Sequence, residues 1–439
     1  MSKKESLAID ELLMELSEKH KPKTYLIKNV NLLTMLDSTI IENQDVLIGN
    51  GLIKQIESDI NYEQAIVIDG KDKYIIPGLT DMHIHLFDQH QMKNTWILLL
   101  LLNGVTTVRD MAGEPNKLML RDKINNNELL APNIYQAGPI INGLPNPPIA
   151  VLATTPEEGR EQVRSQKELG YDFIKVYDDL DTATYWAIID EAKKQEILVT
   201  GHLPKKIKIE DALNKQITIE HLRGYFGWKN KEADYLTAEN YAETTAKSTT
   251  WNCPTLYQLL LNWDKAMGLK LLNDETIISL LPNKLLNKWE TMLSRNTATK
   301  EVLLQRYGKE NSALFNEIVR KLYDAKAKLI AGTDAGSIPF LIPGISLHEE
   351  LMALSNVGVS PYDALKMATI SAASAMGKEK IFGSIAIGKR ADLLLLDENP
   401  LESIYHLSKR KGMMVRGIWL SEDELVQIRN KIKKVFGNN

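Results

Sequence analysis

The chain has 439 residues, 44% hydrophobic and 25% charged, with a formal net charge of -4. This is the make-up of a soluble globular protein, and it gives no electrostatic case for binding nucleic acid or an anionic membrane. A single cysteine, Cys253, excludes an internal disulfide framework and suits a reducing, cytoplasmic setting.

The opening residues carry scattered charges and lack the apolar core of a signal peptide; an exported form with a removed leader is the alternative. Residues 6–19 place Ile9, Leu12, Leu13 and Leu16 on one helical face. That pattern predicts a helix within an N-terminal extension (residues 1–22), packed on its own body rather than docking a second subunit. His20 reads as a solvated helix-end residue. From 24 to 69 the pattern changes to short β runs, and Asn50-Gly51 between apolar residues signals a hairpin. A second β-rich stretch lies at 383–420. In between, apolar β-branched runs alternate with helical patterns, which argues for βα units and a parallel barrel. The expected strands are 74–85, 105–109, 133–137, 173–177, 197–202, 217–221, 250–256 and 329–334. The longest apolar run, Trp96 to Leu102, is too short to span a bilayer. Residues 257–328 read as several amphipathic helices, either a lid over the barrel mouth or a surface excursion.

Catalytic groups of such barrels sit at strand C-terminal ends, where the chemically interesting residues of this chain fall. His83 and His85 are two apart on one strand, so their imidazoles share a face, as half of a metal site or as packing residues. Lys175 lies between apolar neighbours in Phe173-Ile-Lys-Val176; burial would lower its pKa unless it pairs with Asp178. His202 and His221 end the fifth and sixth strands, and Asp334 sits in Gly-Thr-Asp-Ala-Gly after the eighth.

The run Pro77-Gly-Leu-Thr-Asp-Met-His-Ile-His85 resembles the signature of the amidohydrolase superfamily. With GVTTVRDMAG, FIKV, IEH, CPTL, GTDAG and the tail through GKRADLLLLDENPLESI, it resembles the imidazolonepropionase-like and Xaa-Pro dipeptidase (prolidase)-like branch. The resemblance implies an α/β architecture: a (β/α)8 TIM barrel (74–379) with a small β-sandwich domain built from both chain ends (23–73 and 380–425). It implies two divalent metal ions, zinc by default. His83, His85 and Asp334 would hold one, His202 and His221 the other, and Lys175, carbamylated by CO2, would bridge them. Asp334 would act as general base and acid in hydrolysis of an amide bond, in a dipeptide or N-acyl amino acid. A cyclic amide or lactone hydrolase is the alternative, and a non-catalytic barrel scaffold a remoter one. His202 is followed by Leu203-Pro204-Lys205 with no acid, which counts against deamination.

For the small-molecule substrate, Tyr177, Arg223 and Tyr225 lie just past metal-bearing strand ends. The tyrosines would serve as oxyanion donors and substrate contacts, and the arginine would grip a carboxylate. Arg109 and Asp110 read as an internal ion pair supporting the site. The loop 138–148, GPIINGLPNPP, departs from the glycine- and histidine-bearing loop of relatives. His90 and His348 read as structural, His406 as exposed and Cys253 as a core thiol. A homo-oligomer is compatible with this architecture.

Overall fold

The computed structural model describes residues 1–86, 91–147, 149–225, 237–263, 265–295, 309–336 and 338–437. Strands from both ends of the chain form one eight-stranded sheet. Tyr74–Pro77 is the join, pairing in parallel with Tyr25–Leu33 and antiparallel with Leu393–Leu396. The expected hairpin is present: Asn50 and Gly51 take positive φ of 53° and 76°, which suits the right-handed twist of strands Ile40–Gly49 and Leu52–Glu57. The sheet curls, because Leu52 on its far strand bridges to Arg390 just ahead of Leu393–Leu396. The layers of the expected sandwich are therefore one hydrogen-bonded sheet. Alternation along the strand divides two cores: Leu393 and Leu395 join Ile27, Val30, Val46 and Ile75 inside the curl, while Leu394 and Leu396 face the main core.

The chain leaves this sheet at Gly78, where a Cβ atom would lie 2.2 Å from Thr106 Oγ1. Only glycine lets the backbone cross Thr106 so closely and begin the first barrel strand, Leu79–Ile84. This strand pairs in parallel with Val105–Asp110, which pairs with Asn133–Gln136. A second parallel sheet, edged by the short strands Val151–Leu152 and Ile141–Asn142, runs on from Phe173–Val176 through Leu198–Gly201 and Thr218–Glu220 to Trp251–Cys253. Single parallel bridges join the edges: Ala137 to Phe173, Asn252 to Leu329, and Ala335 back to Ile84. The eight segments thus follow one another in the expected order, as a (β/α)8 barrel whose ladder is thin at three joints. The eighth segment is held by bridges because Asp334, at φ 59°, leaves the strand conformation.

The N-terminal helix, Lys3–Lys19, is capped by Ser2 and Glu5 in a reciprocal pair. It packs on the body of the protein, as expected. A C-terminal helix, Glu422–Phe436, which the sequence reading did not anticipate, lies against it. Ile9, Leu12, Leu13 and Leu16 share the main core with Leu425, Ile428, Ile432 and Phe436. Each such buried side chain contributes on the order of 1.5–3 kcal/mol. Ion pairs Lys431–Glu15 (2.8 Å) and Lys19–Glu424 (3.2 Å) edge the contact. His20 is buried there, 3.5 Å from Glu424, rather than solvated. Between the seventh and eighth barrel segments lie helices Leu256–Trp263, Lys265–Leu272, Glu275–Ile278, Asn283–Arg295 and Lys309–Asp324. Among the described residues no helix is long and apolar enough to cross a membrane.

Candidate metal centre

The first and eighth segments build one side of the centre. The Asp334 N–H donates to the His83 carbonyl at 2.7 Å, and the His85 N–H donates to the Ala335 carbonyl at 2.8 Å. Gly336, at φ 90°, permits this approach: a Cβ there would stand 2.1 Å from the His85 carbonyl oxygen. Asp81 stitches the pair, accepting from Thr333 Oγ1 at 2.7 Å, the Thr333 N–H at 3.1 Å and the His83 N–H at 3.2 Å. Burial pushes the Asp81 pKa up to about 7 against those donors. The Asp334 carboxylate then lies 3.0 Å from His85 Nε2 and 3.6 Å from His83 Nε2. Burial alone would raise its pKa, but His221, His85 and His83 hold it well below the usual carboxylate range.

His83 is fixed from behind. Its Nδ1 meets Glu220 Oε2 at 2.7 Å, and the other Glu220 oxygen is held by Arg109 at 2.7 Å and Thr200 Oγ1 at 3.1 Å, with Thr218 closer still. Arg109 also donates to the Met82 carbonyl (2.6 Å), Thr200 (3.1 Å) and Thr218 (2.9 Å). The side chains of His83, Glu220 and Arg109 are fully buried. Lys175 Nζ sits 3.3 Å from His83 Nε2. Burial lowers its pKa to about 8, although Asp334 and Glu220 pull the other way.

On the opposite side, His202 Nδ1 meets Asp178 Oδ1 at 2.8 Å, and Arg223 Nη2 lies 3.2 Å from Asp178 Oδ2. His221 Nδ1 meets Thr255 Oγ1 at 2.7 Å. The His221 ring stands 4.6 Å from His83 and 5.0 Å from His202, centroid to centroid, and Tyr177 stacks on His202 at 4.0 Å. Burial lowers the pKa of His202 to about 4 and of His221 to about 3. These imidazoles are neutral at pH 7. With Nδ1 of His83, His202 and His221 engaged, Nε2 is the ring nitrogen left to face a ligand, and that of His83 meets Lys175 Nζ, the arrangement that fixes a metal-binding tautomer.

His83, His85 and Asp334 offer ligand atoms within 4.8 Å of one another, a candidate divalent-metal site, and Lys175, His202 and His221 surround it. Cys253 also comes within that distance of His83 and Glu220. Burial holds its thiol well above the ordinary range, and both Glu220 oxygens are already engaged, so that trio is a poorer donor set. Tyr177 flanks the centre; burial and Asp178 push its pKa up to about 12, so the hydroxyl stays protonated.

Tyr225 does not match its expected place. Its ring is buried, and its hydroxyl donates to Asn252 at 2.9 Å and meets Thr245 at 2.9 Å. His221 and Leu222, both at positive φ, turn the chain sharply after the sixth strand. The expected pairing of Arg109 with Asp110 also differs. Arg109 pairs with Glu220, and Asp110 with Lys117 at 3.0 Å. Asp178 serves His202 and Arg223. His348 is half-buried, donating to the Asn103 carbonyl at 2.9 Å, and His406 is half-buried 2.9 Å from Glu398. His90 lies outside the described residues. Sequence reasoning missed the supporting roles of Glu220, Thr200, Thr218 and Asp178. One signal was present: Thr218 and Glu220 are two apart on one strand, on the face that lines the barrel.

The fold has counterparts among known proteins. The Amidohydrolase family pattern matches residues 74–420, and the chain belongs to that family. Among solved structures it is similar to a bottromycin amidohydrolase (TM-score 0.79, 23% identity, covering 97% of this chain and 93% of that one). It is also similar to a putative prolidase from Bifidobacterium longum (TM-score 0.72, 23% identity, 93% and 99% covered). Among curated proteins it is 23% identical over 423 residues to a 5-methylthioadenosine/S-adenosylhomocysteine deaminase from Caldanaerobacter subterraneus subsp. tengcongensis, covering 85% of this chain and 84% of that one. A dihydroorotase from the same organism is 40% identical over 74 residues, 16% of this chain and 17% of the dihydroorotase. The chain thus spans less than a fifth of the length of that relative.

Proposed function

We propose that the protein is a metal-dependent hydrolase that cleaves an amide bond in a small substrate, a dipeptide or an N-acyl amino acid. The observation that carries this reading is the set of histidines whose Nδ1 atoms are engaged by Glu220, Asp178 and Thr255 around an ionised Asp334. The donor set fits two divalent cations, zinc by default: His83, His85 and Asp334 for one, His202 and His221 for the other. Lys175, with its lowered pKa, keeps a fraction of neutral amine at pH 7. That amine can add CO2 and release a proton, and the resulting carbamate would supply an anionic oxygen to both ions. When bound, the cations would supply Lewis acidity toward a carbonyl and toward water.

The remaining work belongs to the chain. Asp334 takes the proton of the attacking water and returns it to the leaving amine. The Tyr177 hydroxyl, protonated across the working range, donates to the carbonyl oxygen as charge develops on it. Arg223, beside Asp178, grips a substrate carboxylate. The deaminase relative raises a different reaction, but Leu203-Pro204-Lys205 after His202 offers no acid to shuttle a proton to ammonia.

The test is a screen of the metal-replete protein against dipeptides and N-acyl amino acids, with Asp334→Asn as control. Cleavage that falls about 10²–10⁴-fold in the variant is the expected result. Silence of the wild type, with two equivalents of metal bound, would sink the open-chain amide reading. Cyclic amides and lactones, the alternative substrates, would then be screened.

A further inference from the structure

A cavity of about 190 Å³ adjoins the end of the eighth barrel segment. Its wall is apolar and comes from three places: Met92 and Trp96 after the first strand, Leu285 and Trp289 on helix Asn283–Arg295, and Ile338 and Leu341 beyond Asp334. Gly336 lies on its border, two residues past Asp334 and folded tightly against His85. The cavity therefore adjoins the segment that carries Asp334, where that segment folds against His85.

Three features make it a binding pocket. Trp96 and Trp289 are 6% and 4% exposed and both border the cavity, so its wall offers aromatic surface to an apolar group. Trp289 is held by Phe340 at 5.0 Å between ring centroids, so the wall is stiff. The volume falls below the ~300 Å³ of pockets that enclose a whole ligand, and suits one side chain. Among the described lining residues the single charged one is Lys288, which is exposed at the rim. A charged substrate side chain would lose its hydration in such a pocket.

We infer that this cavity receives a bulky apolar side chain of the substrate, so the preferred dipeptides and N-acyl amino acids carry leucine, methionine or phenylalanine next to the scissile bond. The inference rests on the amide-hydrolase reading for its substrate class, but binding tests it without turnover.

The experiment is calorimetric titration of the metal-replete Asp334→Asn protein, which is slow to turn over, with N-acetyl-L-phenylalanine, N-acetyl-L-alanine and N-acetyl-L-aspartate, with kcat/KM of the wild type for each. The phenylalanine ligand is expected to bind roughly 10-fold or more tighter than the alanine one, and the aspartate ligand weakest. Ile338→Phe, at a partly exposed position that tolerates bulk, fills the pocket and should erase the phenylalanine advantage while sparing alanine. Trp289→Ala widens it and should weaken phenylalanine binding by a similar factor. Equal affinity for all three ligands, no binding of any, or a preference untouched by both variants would overturn the pocket. Selective binding of N-acetyl-L-phenylalanine without hydrolysis of any amide would keep the pocket and sink the hydrolase reading instead.

Discussion

The two sides of the candidate metal centre are built differently. Around His83, the supporting pair Glu220 and Arg109 is 0% exposed, and every hydrogen bond ends on another buried group. Around His202, the supporting pair Asp178 and Arg223 is 14% exposed, and Tyr177 stacks at its edge. The same device, a carboxylate on Nδ1 backed by an arginine, is thus sealed in one place and open in the other. The sealed copy fixes the geometry of the first strand. The open copy leaves charged and phenolic groups partly exposed, and His202, then Arg223, lower the Asp178 pKa to about 2, against the burial that would raise it.

The strongest way to break that contrast is Glu220→Gln. It leaves the Arg109 guanidinium buried without its counter-charge, which costs about 3–5 kcal/mol of stability. Loosening His83 should also reduce metal affinity about 10–100-fold. Asp178→Asn, on the open side, should reduce metal affinity by a comparable factor yet cost only about 1 kcal/mol, because solvent can reach the Arg223 left behind. Thermal unfolding and metal content after dialysis measure both. Equal stability losses would show that the difference in exposure carries no energetic meaning.

A smaller effect sharpens the open side. If Arg223 grips a substrate carboxylate, Arg223→Lys exchanges a bidentate fork for a point charge, and KM should rise about 10-fold with kcat little changed. If Arg223 serves only to buttress Asp178, the same variant should lose metal while KM for the remaining active enzyme stays put.

The sealed side was the less legible of the two in the sequence. His83, His85, Lys175 and Asp334 announced themselves through local pattern: alternation on a strand, a lysine among apolar residues, an aspartate between glycines. The Asn50-Gly51 hairpin and the order of the barrel segments were legible for the same reason. Glu220 and Arg109 lie 111 residues apart, and nothing local says that they pair. Arg109 was assigned instead to its chain neighbour Asp110, although adjacent strand residues point to opposite faces. Tyr225 was misplaced because nearness to a strand end says nothing about direction once two successive positive-φ residues turn the chain. The terminal helix Glu422–Phe436 was legible but unread: Leu425, Ile428, Ile432 and Phe436 recur at helical spacing.

A last prediction separates a histidine that supports the fold from those of the candidate metal centre. His348 makes no carboxylate contact among the described residues; it donates from Nε2 to the Asn103 carbonyl, with Arg410 Nη1 3.4 Å away. Burial, then Arg410, lower its pKa to about 3, against about 6.5 in an unfolded chain. The unfolded state therefore takes up a proton between those values while the folded state does not, and stability falls as pH falls below about 6.5. From pH 7 to pH 5 this one group should remove about 1–2 kcal/mol. His348→Gln keeps a donor for the Asn103 carbonyl and cannot titrate, so it should flatten that part of the slope without changing metal content. Denaturant unfolding at pH 7 and pH 5, with metal analysis of both proteins, makes the comparison. An unchanged slope would mean that the acid sensitivity comes from other groups, His20 and the histidines of the candidate metal centre among them.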